Sequence, residues 1–379
     1  VKIGFDAKRL YNNFTGLGNY SRFVVEALAG TFPENDYVLF TPKLKSNSET
    51  EPFLTASNIQ TVLPSSWISS LKLGSLWRSF RIGHEALRSN ITIYHGLSHE
   101  LPYDLPPTMH SVVTVHDLIF LRYPQFYNPV DVAIYKSKVK HACTRADVIV
   151  AISEQTANDI VQFLHVSREK ITVVYQGCHP NFRKEYTTLQ LEEVKIKYNL
   201  PPEFILNVGT IEPRKNALLI LQAMNVLKNK INVPLVLVGR PTKYLEEIKK
   251  FAQRSGLSNR IIYIHNADFK DLPLIYRLAK VFVYPSLFEG FGIPLIEAIA
   301  SGLPVITSED SCFTEAAGPS SLYVDPHDEE ALAQQLSILL TDDQFRNKSV
   351  ERSTSYIRKF EPSVIANDMV KVYKNIQAG

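Results

Sequence analysis

Cysteine is scarce: Cys143, Cys178 and Cys312 are the only three in 379 residues. They stand far apart, no two at a metal-ligand spacing. Their odd number argues against a disulfide framework and for a reducing compartment. No block of Lys or Arg stands out, and the net charge is only +3, which argues against nucleic acid as the main partner. No apolar run approaches the length of a membrane span. The sequence opens on a strand-like run, Val1–Asp6, so no signal peptide is expected. Solenoid-length repeats and low-complexity segments are also missing. The expectation is a cytoplasmic protein, with peripheral contact at the cytoplasmic membrane face left open.

What is present is an ordinary globular composition, 45% hydrophobic and 21% charged, in a chain long enough for two cores. Short apolar runs alternate with amphipathic windows. Strands are expected at Lys2–Asp6, Tyr37–Thr41, Ile91–His95, Ser111–Val115, Val148–Ile152 and Ile171–Val174, with helices at Gly18–Ala29, Asp131–Arg145 and Glu154–Phe163. The pattern restarts near residue 204. Strands follow at Phe204–Val208, Pro234–Val238, Ile261–Ile264, Val281–Tyr284, Pro304–Thr307 and Leu322–Val324. Helices fall between them, at Asn216–Leu227, Lys243–Gln253, Leu272–Ala279 and Glu329–Leu340. Such alternation predicts an α/β protein of two Rossmann-like, doubly wound parallel-sheet domains with a ligand cleft at the strands' carboxyl ends. A polar stretch and Pro201-Pro202 place the linker around residues 178–202. Apolar residues at helical spacing, Ile365 to Ile376, predict a packed terminal helix. The expected domains are 1–180, 181–360, and a tail, 361–379.

The richest segment is Glu289-Gly-Phe-Gly-Ile-Pro-Leu-Ile-Glu297. It follows a strand and opens a helix in which Pro294 suits the first turn; Gly302 stops that helix. Small residues and free N–H groups at a helix start suit a phosphate. The two carboxylates would repel one, so they fit hydroxyls better. A nucleotide sugar carries both groups.

A second motif, Gly209-Thr-Ile-Glu-Pro-Arg-Lys-Asn216, puts Arg214 and Lys215 between a strand's end and a helix start. Cations there oppose the helix dipole, so they are expected to neutralise a ligand diphosphate; a solvated basic turn is the alternative. Thr15-Gly-Leu-Gly-Asn-Tyr20 begins like a dinucleotide fingerprint, but Ser21 stands where the third glycine belongs. His116-Asp117 ends an apolar strand; the alternative there is a structural histidine. His95 and His99 lack a partner carboxylate or cysteine at metal-like spacing, and no Asp-x-Asp occurs anywhere. Residues 65–81 place Leu73, Leu76, Trp77 and Phe80 at i, i+3, i+4 and i+7, with Lys72, Arg78 and Arg81 interspersed. The segment reads as a helix packed on the first domain or lying on a membrane surface.

With these motifs in place, the chain resembles the retaining glycosyltransferases of family 4, of GT-B fold, over nearly its whole length. The glycine-rich first loop, His116, Ser153-Glu154, Glu212-Pro-Arg-Lys-Asn216 and Glu289–Glu297 come in the family's order. The resemblance implies that Arg214 and Lys215 hold the donor diphosphate and that Glu297 accepts from the ribose. It also implies that Glu289 sits by the transferred sugar, and that the Phe291, Gly292 and Ile293 backbone approaches sugar and phosphate. His116 would touch the sugar, Gly16 and Gly18 would line the cleft, and Ile264–Asp268 would cradle the base. Reaction on one face of the sugar, metal independence without a cofactor, and a terminal helix crossing back onto the first domain are further implications.

Within the family the motifs look most like bacterial mannosyltransferases of surface polysaccharide assembly. GDP-mannose is the favoured donor and a saccharide or lipid-linked saccharide the acceptor. A UDP-sugar donor, a nucleotide-sugar epimerase on the same fold, and a non-catalytic binding module are the competing readings. Retention of Arg214, Lys215, Glu289 and Glu297 together speaks against the last.

Overall fold

The computed structural model describes residues 1–71 and 73–378 and, for Trp67 and Ser69, the backbone alone. The chain divides into two compact units, Val1–Gly177 with Phe360–Gly379, and Cys178–Lys359. Each is built on a parallel sheet.

In the first unit the strands are β1 (Lys2–Asp6), β2 (Asp36–Phe40), β3 (Ile59–Val62), β4 (Ile93–Gly96), β5 (His110–Val115), β6 (Val148–Ala151) and β7 (Ile171–Val173), in the order β3-β2-β1-β4-β5-β6-β7. In the second they are β8 (Ile205–Val208), β9 (Leu235–Val238), β10 (Ile261–Ile264), β11 (Val281–Tyr284), β12 (Val305–Ser308) and β13 (Leu322–Val324), in the order β10-β9-β8-β11-β12-β13. The order reverses beside β1 in one sheet and β8 in the other, the switch points where doubly wound sheets bind ligands at their strands' carboxyl ends. Helices cover both faces, so central strands are apolar throughout: all four residues of β11 are buried, as are all four of β9.

Local chemistry sets the helix ends. Asn128 accepts from the Val130 N–H at 2.9 Å and Ser153 from the Thr156 N–H at 3.0 Å, each satisfying a donor the helix leaves open. Residues 178–202, read above as a linker, contain the helix Thr188–Lys197, which Thr187 and Gln190 start with a reciprocal capping box. The terminal helix Pro362–Ala378 packs on Gly16–Thr31 of the first unit, burying Ile365, Met369, Val372, Tyr373 and Ile376. Tyr373 Oη lies 2.8 Å from His95 Nδ1. Gly379, the last residue of the expected tail, lies outside the described residues.

Two expectations need correction. Residues 65–81 do not form one helix: they break into Ser66–Ser70 and Gly74–Phe80, since Gly74 and the serines carry little intrinsic preference to continue. Asn216 does not start a helix either. It sits in the left-handed region at φ 54° between a turn of 3₁₀ helix, Pro213–Lys215, and the helix Ala217–Val226.

Candidate active site

In the second unit, β8 and β11 lie side by side and deliver the two motifs to one place. The loop after β11 runs from Pro285 to Gly292, whose φ of 106° turns the chain into the helix Ile293–Ala300. A side chain at Gly292 would be strained in that conformation. The Leu287 N–H donates to the Arg214 carbonyl at 2.8 Å, and Arg214 Nη1 donates to the Phe288 carbonyl at 2.6 Å. Thus Gly209–Asn216 and Glu289–Glu297, remote in sequence, are bonded to one another.

Glu289 is the hub. Its carboxylate receives Arg214 Nη1 at 2.9 Å, the Lys215 ammonium, and Tyr284 Oη at 3.0 Å. Lys215 Nζ also donates to Tyr284 Oη, and Arg214 Nη2 donates to Glu212 at 2.7 Å. Burial alone would raise the Glu289 pKa; Lys215 and Arg214 overcome it and hold the carboxyl at about 2. Burial lowers the Lys215 pKa, with Glu289 opposing it. Burial would also lower the Arg214 pKa, but Glu289 and Glu212 raise it. Arg214 and Lys215 are both paired here, with Glu289 and, for Arg214, Glu212, so a more highly charged anion beside the helix N-terminus would bind by exchanging with those carboxylates.

Glu297 is the opposite case. It lies on the helix Ile293–Ala300, 8% exposed, and accepts from Tyr276 Oη at 3.0 Å. Among the described residues no cation forms an ion pair with it, and burial pushes its pKa up to about 7 despite the tyrosine. A hydroxyl-rich ligand would supply the donors it lacks.

The segment Ile264–Asp268 leaves β10 at the same edge. Asp268 Oδ2 receives Lys197, and the Asp268 N–H donates to Tyr198 Oη at 3.1 Å.

In the first unit, His116 directly follows β5 and is 5% exposed. Nε2 donates to the Leu97 carbonyl at 2.8 Å and Nδ1 receives Gln176 at 3.3 Å. The His116 N–H bonds His99 Nε2 at 2.7 Å. His95 is held between Thr114 and Tyr373, at 2.8 Å from each. Burial, then a histidine neighbour, lowers the pKa of His95 and His116 to about 3. Burial lowers that of His99 to about 4. All three rings are neutral at pH 7.

Gly18 is glycine for packing: a Cβ there would lie 1.7 Å from the Asn13 carbonyl oxygen, whereas one on Gly16 meets nothing within 4 Å. Ser153 serves as a helix cap. Of the segment read as packed or lying on a membrane, Trp77 is buried, and Arg78 is buried against Asp6 and Glu100, as packing on the first unit requires. The Trp67 side chain and Lys72 lie outside the described residues. No helix among the described residues is long and apolar enough to cross a membrane.

Sequence reasoning passed over Tyr284, Tyr276 and Cys312. Cys312 Sγ packs against the Phe291 carbonyl at 2.9 Å and the Glu289 carbonyl at 3.3 Å, and Ser311 Oγ donates to the latter at 3.1 Å, so both brace the loop. Tyr284 closes β11 and was read only as a strand residue. A tyrosine at a strand's carboxyl end in an α/β sheet was the available signal.

The family model "Glycosyl transferases group 1" matches residues 191–356 and "Glycosyltransferase Family 4" residues 15–182. The chain is 28% identical to O-antigen chain mannosyltransferase B of Escherichia coli, across 99% of this chain and 100% of that protein. Serotype-specific mannosyltransferase WbdA of the same organism is 29% identical across 71% of this chain, which spans 34% of that longer protein. Among solved structures, a glycosyltransferase of Rickettsia africae superposes with a TM-score of 0.75 at 18% identity, covering 99% of this chain and 98% of that one. Anabaena HepE, solved with UDP and glucose, gives 0.74 at 14% identity, covering 99% of each chain. These two likenesses carry the fold. With both units matched by family models and both sheets of GT-B type, the chain belongs to the glycosyltransferases of family 4.

Proposed function

We propose that the protein transfers a hexose from a nucleoside-diphosphate sugar to a saccharide or lipid-linked saccharide acceptor, with retention of configuration, in the assembly of a bacterial surface polysaccharide. GDP-mannose is the favoured donor. The observation that carries the reading is the Arg214–Lys215–Glu289 cluster beside the N-terminus of Ile293–Ala300.

The donor's diphosphate lies against Arg214 and Lys215, and Glu297 accepts from the ribose hydroxyls. The Phe291–Ile293 backbone faces the sugar and phosphate. As the anomeric C–O bond breaks, negative charge grows on the leaving diphosphate oxygen, and preplaced cations meet it without reorganising. The acceptor oxygen forms the new bond on the face the diphosphate leaves. Its proton passes to the departing phosphate oxygen, so charge and atoms balance. Glu289, anionic across the working pH range, stands by the sugar where positive charge develops. Glu297 is committed to ribose, so the carboxylate pair of a retaining hydrolase is not invoked.

The mannosyl assignment is supported by the relatives named as O-antigen mannosyltransferases. Thermal unfolding with GDP, UDP and ADP in parallel tests it. A nucleotide at a hundred times its dissociation constant adds about 2.7 kcal/mol. Stabilisation by GDP alone fits the reading, stabilisation by UDP alone replaces the donor, and no shift with any of the three refutes it.

A further inference from the structure

The first unit holds a second constellation, built by elements meeting at the carboxyl ends of β1 and β4. Arg78, on the helix Gly74–Phe80, donates Nε to Asp6 Oδ2 at 2.8 Å and Nη1 to Glu100. Lys138, on the helix Pro129–Arg145, reaches Glu100 Oε1 at 3.3 Å. Together with Tyr103 and His141, these residues line a cavity of about 20 Å³, room for one small polar group.

Three observations define what fits. Two carboxylates face two cations, so the lining has no net charge and favours neither phosphate nor ammonium. His141 Nε2 is buried with no partner among the described residues, and the Pro102 carbonyl stands by the ring and favours its protonated form. Burial lowers the pKa of this ring, so it is neutral and Nε2 carries a lone pair that can accept an O–H. Finally, the rim is aromatic and open. Phe80 and Tyr103 are 54% and 48% exposed and stack at 5.3 Å, and Tyr103 stacks on His141 at 4.0 Å. Exposed rings beside a buried, charge-neutral polar pocket suit a ligand with an apolar C–H face and equatorial hydroxyls.

We propose that this pocket is a subsite for a neutral saccharide acceptor: the sugar ring lies on the Phe80–Tyr103 pair, and one hydroxyl enters the cavity and donates to His141 Nε2. The assignment rests on the transferase reading above, whose acceptor it locates. The Arg78 network holds the rim in place. Asp6 and Glu100 keep that guanidinium from competing for the hydroxyl.

Saturation-transfer NMR with methyl α-mannopyranoside, at tens of millimolar, tests it on the full chain. His141→Phe keeps a stacked ring and removes the lone pair; Phe80→Ser removes an exposed part of the platform. The expected result is a signal from the wild type, and affinity lowered about three- to tenfold in His141→Phe, the worth of one neutral hydrogen bond. A comparable drop is expected in Phe80→Ser, with nucleotide stabilisation unchanged in both variants. A silent wild type, or unaltered affinity in both variants, overturns the subsite. Should His141→Phe fail to fold, the exposed Phe80→Ser decides alone. Sugar binding that obeys these expectations in a chain indifferent to GDP, UDP and ADP would sink the donor reading and leave the subsite standing.

Discussion

Replacing Glu297 by Gln should make the protein more stable at alkaline pH and leave it nearly unchanged at acid pH. The carboxyl is buried, with Tyr276 its only hydrogen-bond donor among the described residues, and its pKa rises from 4.5 to about 7. Below about pH 4.5 both folded and unfolded chains carry it neutral. As pH climbs toward 7 the unfolded chain ionises first, so stability is lost across that window and levels off above it. At about 1.36 kcal/mol per unit, the shift corresponds to a ceiling of about 3 kcal/mol; relaxation and water entry would bring it lower. Glutamine keeps an acceptor for Tyr276 and has no charge to bury. Urea unfolding of wild type and Glu297→Gln at about pH 5 and pH 8 therefore should give midpoints close together at the lower pH, with the variant clearly higher at the upper one. A ligand whose hydroxyls donate to Glu297 favours the ionised form. Nucleotide affinity should accordingly rise with pH through the same window, by at most about tenfold per unit, and flatten in the variant. An identical wild-type-to-variant gap at the two pH values would refute the reasoning, because it would mean Glu297 is already ionised or already solvated.

Lys215→Ala or Arg214→Ala should each cut turnover by about two to three decades with the unfolding temperature little changed; steady-state kinetics beside a melting curve reads both. Glu289→Gln releases these cations, so nucleotide should bind more tightly while turnover falls, a split that calorimetry and kinetics resolve. Chelation by EDTA should leave activity intact; loss restored by magnesium or manganese would contradict a metal-independent reaction. Arg78→Ala strands Asp6 as a buried, unpaired carboxylate and should cost about 3–5 kcal/mol, seen as a lower denaturation midpoint rather than as altered liposome binding.

The sheets were legible where a strand is buried on both faces. Val281–Tyr284 and Lys2–Asp6 coincide with the expected spans because a central strand of a parallel sheet demands a continuous apolar run. Strand β3, Ile-Gln-Thr-Val, escaped because it is short and only partly buried at an edge. The helix Asp343–Tyr356 escaped because it buries only Ser349 and Ser353 and so has no apolar stripe to read. In the candidate site, residue types at strand ends identified Arg214, Lys215, Glu289 and Glu297 as a group to examine. Their pairing was out of reach: Lys215 meets Glu289 across 74 positions, and no local spacing encodes such a contact. The same holds for Arg78, read only as a cation interspersed in an apolar stripe, whose partner Asp6 lies 72 positions away.

The terminal helix has a consequence for synthesis. Its residues belong to the first unit, where Tyr373 bonds His95 and the helix covers Gly16–Thr31. The chain that encodes the second unit lies between. On a ribosome, the first sheet must therefore wait, with the patch destined for Ile365, Met369 and Tyr373 uncovered, while the whole second unit is made. At about 5–20 residues per second that interval is roughly 10 to 40 s. Its open apolar face makes the first unit the natural client of a chaperone during that time, and a chain that stalls late would be marked by a defect at its beginning rather than at its end.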